Sequence, residues 1–154
     1  MGTNNVLHTT YDRGQIFIKG VRTDKGTYTN GGGAPVTIAE GTILGRVTAT
    51  GKLLPLKSTA TDGSQIPVGI CFQAVTVAAG DDAELTYCIA GDVTENRVVF
   101  ALGGDTLNTI IYQNLSSPVS DQIALGRLGD LIQRNTHIIL VATTENTEYD
   151  NTAS

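Results

Sequence analysis

Gly45 to Lys52, GRVTATGK, carries the two glycines and the lysine of a phosphate-binding loop. Such a loop cradles phosphates on backbone N–H groups, brings a lysine to them, and holds magnesium with a Ser or Thr after the lysine. Here five residues separate the glycines where the loop needs four, and Leu53 follows Lys52. The β-branched flanks read as strand–turn–strand rather than as a loop that opens a helix. His8 and His137 are the only imidazoles, one in a polar N-terminal stretch and the other at the start of the apolar run HIILVAT, so neither sits in a catalytic constellation. Cys71 and Cys88 lie in the apolar segments GICFQAV and LTYCIAG and read as buried thiols, a disulfide between neighbouring strands being the alternative. Two cysteines this far apart, with two distant histidines, do not make a zinc site. Asp81-Asp82 reads as a solvated turn with too few oxygens for calcium. Asn114 in N-L-S fits a glycosylation acceptor only formally, because MGTNNVLHTTYDRG lacks the basic start and apolar stretch of a secretory signal. No G-x-S-x-G occurs, and no carboxylate pair has surroundings that would raise a pKa. The residues therefore predict no enzyme, no cofactor and no metal.

The elements that carry these residues read as mainly β with minor α. Of 154 residues 18 are glycine and none is tryptophan, which favours many turns and an aliphatic core. Residues 1–35 are polar, end in NGGGAP, and contain one strand-like run, QIFIKG, with Ile16 and Ile18 on one side and Phe17 on the other. They read as a flexible arm: a disordered tail, or a segment that orders by adding a strand to a partner's sheet. Residues 36–144 read as one β-rich domain. Turn signals at Gly51, Gly63, Gly80, Gly91 and Gly103 separate TILGRVTAT, KLLPLK, PVGICFQAVTV, AELTYCIAG and DVTENRVVF. That spacing predicts a small barrel or sandwich. Asp105 is a candidate cap for a short helix with Leu107, Ile110, Ile111 and Leu115 at helical spacing, a strand being the alternative. Ser120 is a candidate cap for a second helix bearing Ile123, Ala124, Leu128, Leu131 and Ile132, and HIILVAT reads as a final strand. Residues 145–154 read as a disordered acidic tail.

The net charge of −5 and the scattered bases, of which only Lys19, Arg22 and Lys25 cluster, argue against nucleic acid. No apolar run is long enough to span a bilayer. The expected partners therefore include neither nucleic acid nor membrane.

In TDGSQIPVGI, Asp62 can bond its own following backbone and Gly63 can take φ > 0, which reverses the chain. Pro67 can start a strand without wasting a donor, and Gly69 lets another backbone or a bulky side chain approach. The larger segment Gly41 to Val93 resembles the head decoration proteins of tailed phages, the lambda type. The features that carry the resemblance come in order: Gly41 to Gly45, the turn Thr50-Gly51-Lys52, Thr61-Asp62-Gly63, Pro67 to Ile70, and Gly91 to Val93. A helix followed by a final strand over residues 120–143 fits the same pattern more loosely. The resemblance implies a homotrimer on the outer surface of the expanded capsid, made in the host cytoplasm, that clamps neighbouring copies of the major capsid protein. It implies that the arm contacts the capsid, with Gln15, Ile16, Phe17 and Ile18 as the candidates, and that Asp62, Gly63, Pro67 and Gly69 define the fold. Two other readings stand beside it. One is a lipoyl-like carrier or small-ligand β-module modified at Lys25, in TDKG, or at Lys52. The other is a further virion component such as a tail or fibre adaptor.

Overall fold

The computed structural model describes residues 16–102, 104–112 and 123–142. Ten strands and one α-helix follow in chain order: β1 (Phe17–Thr29), β2 (Val36–Ile38), β3 (Ile43–Arg46), β4 (Leu53–Pro55), β5 (Pro67–Cys71), β6 (Val75–Val77), β7 (Asp82–Thr94), β8 (Ile110–Tyr112), β9 (Ala124–Arg127), α1 (Leu128–Asn135) and β10 (His137–Val141). The main sheet runs β1-β7-β5-β3-β4, and β10 also pairs with β7. β1 takes one edge of β7 along its whole length. On the other edge β5 pairs antiparallel at Tyr87 and Cys88, and β10 pairs parallel at Ala90 to Thr94. Two small ribbons, β2-β6 and β8-β9, complete the described fold.

Side chains alternate between two apolar cores because successive strand residues point to opposite faces. Ile43, Ile70 and Cys88 feed the first core, closed by Ile111 of β8, Ile138 of β10, and Leu128, Leu131 and Ile132 of α1. Their neighbours Leu44, Cys71 and Tyr87 feed the second, which the β2-β6 ribbon covers with Ile38 and Val77. Strands buried on both faces read as continuous apolar runs, which explains PVGIC and LTYCI. The fold is thus mainly β with minor α, but the described strands do not form a closed barrel. The outer strands β1 and β4 approach where Gly26 faces Leu53, and Lys52 Nζ donates to Thr29 Oγ1 at 2.7 Å, yet no ladder joins them.

Several expectations need correction. Residues 17–29 are not an arm: they form the longest ladder of this chain's own sheet, with β7 as partner. The apolar content that this segment lacks is supplied by β7, and Tyr28 and Val21 still reach the two cores. Gly91 does not end a strand, because β7 runs through it. Asp105 caps no helix. Its carboxylate accepts from Ser58 N at 2.9 Å and Ser58 Oγ at 2.6 Å, and Ile110–Tyr112 pair with β9, so the strand alternative holds. The second helix starts at Leu128, since Ala124 to Arg127 are spent on β9. Its first N–H groups are met without a capping side chain, as Leu128 N donates to Thr109 O and Gly129 N to Leu107 O, both at 2.8 Å. His8, Asn114, Leu115, Ser120, the turn at Gly103 and the acidic tail lie outside the described residues.

Candidate functional site

The corner at Thr61 to Ile70 locks three strands together. Asp62 Oδ1 accepts from Ser64 N at 3.0 Å and Ser64 Oγ at 2.6 Å. The Ser64 hydroxyl, then its N–H, hold the Asp62 carboxyl below its ordinary pKa. Gly63 takes φ +102°, a conformation that side chains rarely adopt, and donates to Gln65 Oε1 at 2.9 Å. Asp62 O accepts from Thr48 N at 2.9 Å, which ties the corner to the segment after β3. Ser64 and Gln65 are buried, and the Ser64 carbonyl sits where a side chain on Gly45 would have to be. Pro67 then opens β5 opposite Gly45. At Gly69 a Cβ would lie 2.5 Å from the Tyr87 ring and 2.7 Å from the Cys88 carbonyl oxygen, so β5 approaches β7 more closely than a side chain allows. Arg46 also holds that ring: Nη2 donates to Tyr87 Oη at 2.6 Å, with the guanidinium carbon 5.9 Å from the ring centroid. All of this is positioning, and none of it is acid–base machinery.

The second region is where the described chain begins. Ile16 O accepts from Thr94 N at 2.8 Å, and Phe17 pairs with Val93. Phe17 packs against Phe72 with ring centroids 4.9 Å apart and the planes tilted by 53°. Both Ile16 and Phe17 pack on the first core, whereas Ile18 is 42% exposed. Simple alternation would put Ile16 and Ile18 on one side, but the ladder shifts register between Phe17 and Lys19 and again before Thr23. Gln15 lies outside the described residues. On the far side of β7, Val141 of β10 pairs with Thr94. Ile16 and Val141 therefore lie at the same end of the sheet, on opposite flanks of Val93 and Thr94.

The remaining chemical candidates fall apart. Cys88 enters the first core and Cys71 the second, so they sit on opposite faces of the sheet; both are free thiols whose pKa is pushed up by burial. Lys25 lies within β1, 3.7 Å from Glu84, and not on a turn. Gly45 to Lys52 is a strand and a turn leading into β4. His137 is exposed at the head of β10. Asp82 accepts from Thr29 Oγ1 at 2.5 Å. Among the described residues no group of three or more His, Cys, Asp or Glu could hold a metal, and no helix is long and apolar enough to cross a membrane. A shallow depression of about 300 Å³ lies beside α1, where Arg127 bonds Asp130 twice at 3.2 Å and Asn108 Oδ1 at 2.8 Å.

One residue that sequence reasoning passed over proves central. Asn30 is 2% exposed and ties four segments together, and its only sequence signal is the Asn-Gly pair within NGGG. Asp105 was noticed for the wrong task.

The described residues form a mainly β module built around the Thr61 to Ile70 corner and an anchored chain start. The model of one family, bacteriophage lambda head decoration protein D, matches residues 18–110, and the chain belongs to that family. It is thus a head decoration protein of the phage virion. No curated protein matches the chain.

Proposed function

We propose that the chain is a non-catalytic cement: a homotrimer on the outer surface of the expanded head that bridges neighbouring copies of the major capsid protein against internal DNA pressure. The observation that carries this reading is the family match over residues 18–110, which spans the corner and β1. The anchoring of Ile16 and Phe17 supports a division of labour at the N-terminus. Those two residues fix the chain to the body, while Ile18 and the segment up to Gln15 are the parts offered to the capsid. Strand addition to a partner's sheet edge would supply main-chain hydrogen bonds there. Three such segments on one trimer would raise a weak contact through effective concentration.

The test is co-sedimentation with expanded and unexpanded heads that lack the protein. Because β1 belongs to the sheet, the informative deletion removes residues 1–15 and stops there. Binding of the full chain to expanded heads alone, weakened by that deletion, is the expected result. Binding to neither kind of head, by a chain that is folded and trimeric, overturns the cementing role.

A further inference from the structure

Asn30 closes the corner where β1 ends, β2 begins, and β6 passes into the turn before β7. Its Nδ2 donates to Ala34 O at 2.8 Å, Val77 O at 3.0 Å and Ala78 O at 3.3 Å. Its Oδ1 accepts from Gly32 N at 3.0 Å. Its backbone N donates to Asp81 O at 2.9 Å, and its carbonyl accepts from Gly80 N at 2.8 Å. One buried side chain thus joins the Gly31–Gly33 loop, the approach to β2 and the end of β6. The next residue, Gly31, is exposed and has no neighbour within 4 Å of where a Cβ would stand.

We propose that Asn30-Gly31 is a covalent modification site, a deamidation latch that makes opening of the β2-β6 ribbon irreversible. The Gly31 backbone nitrogen can attack Asn30 Cγ. The new N–C bond forms, the Cγ–Nδ2 bond breaks, the amide nitrogen leaves as ammonia, and a five-membered imide results. Water then opens the imide to aspartate or isoaspartate. A glycine after the asparagine favours this chemistry because no side chain hinders the attacking nitrogen. In the closed fold the four side-chain bonds hold Cγ in place, and attack requires the side chain to leave all of them. Once the corner opens, the reaction proceeds as in a free peptide. The product places a carboxylate, which only accepts, where three carbonyl oxygens converge. A buried charge facing acceptors is strongly disfavoured, so the ribbon does not reclose over the second core. An opened molecule is thereby retired instead of returning to the folded pool.

The experiment follows conversion at residue 30 by mass spectrometry at mildly alkaline pH, in the full folded chain and in a peptide of residues 27–33. In parallel, hydrogen exchange reads opening of the β2-β6 ladder. The folded chain should convert more slowly than the peptide by the factor that the exchange gives for ribbon opening, since both report the same open population. Gly31→Ala should keep the melting temperature and slow conversion in both. Asn30→Asp should lose exchange protection at the hydrogen-bonded amides of the β2-β6 ladder. Equal rates in folded chain and peptide overturn the latch. So does full ribbon protection in Asn30→Asp.

Discussion

Gly69→Ala puts the close approach of β5 and β7 to a quantitative test. A methyl at this position meets the Tyr87 ring at 2.5 and 3.1 Å and the Cys88 carbonyl oxygen at 2.7 Å. Ordinary carbon contacts lie at about 3.5–4.0 Å, so the surroundings must yield by roughly 1 Å. Neither obstacle can do so freely. Arg46 holds the Tyr87 ring by its hydroxyl, and the Cys88 carbonyl belongs to the strand that three others share. Overpacking of this kind costs about 2–3 kcal/mol. For a chain of this size that lowers the melting temperature by roughly 4–12 °C. Thermal unfolding followed by far-ultraviolet circular dichroism measures it. Gly33→Ala is the control, since no atom lies within 4 Å of its Cβ position and its φ is not positive. That change should leave the melt unchanged or raise it slightly by restricting the unfolded chain. A Gly69→Ala melt that overlays the wild type would refute the claim that strand spacing here depends on a missing side chain.

Three further outcomes are expected. Asp62 has a folded pKa below its unfolded value, so its contribution to stability is full above the ordinary carboxylate range and is lost as pH falls through the depressed folded value. Asp62→Asn keeps an acceptor for Ser64 and should flatten part of the acid limb in a series of denaturant melts, Asp130 contributing in the same direction; an unchanged limb counts against the Ser64 contacts. Asp105→Ala should cost about 1–3 kcal/mol in denaturant titration, because Ser58 loses a charged acceptor for two donors. Cys71 and Cys88 should resist a thiol reagent until the chain unfolds and should form no intrachain bridge on mild oxidation, and rapid labelling of the native protein would contradict their placement in separate cores.

The strands Ile43–Arg46, Leu53–Pro55 and Pro67–Cys71 were legible because apolar runs between turn signals have few alternatives. The Asp62-Gly63 turn was legible because its chemistry is local. What was hidden depends on partners far along the chain. Residues 17–29 look too polar to fold when read alone, and their strand exists because β7 supplies partners that lie far along the chain, from Thr29 with Asp82 to Thr23 with Cys88 across the regular pairs. Gly91 reads as a turn, yet the backbone of Lys19 and Val21 comes within 3 Å of where its Cβ would stand, so the glycine permits strand contact and does not end it. The helical spacing of Leu107, Ile110 and Ile111 was overridden by pairing with β9. Asn30 carried only a turn-forming pair of letters, and its work lies in carbonyls of residues 34, 77 and 78.

The way the first described residues enter the sheet also sets how the body bears load. A pull on Ile16 directed along β1 draws that strand lengthwise past β7. The ladder hydrogen bonds lie across this direction, so they are strained together in shear and are not opened one at a time like a zipper. The irregular stretch from Phe17 to Arg22 meets the tension first and can give a little. Behind it stand seven consecutive pairs, Thr23 with Cys88 through Thr29 with Asp82, that must slip as a unit before the strand comes free. A tether at this end therefore behaves as a short compliant link in series with a stiff one, and it resists extraction best when the force runs along the strand.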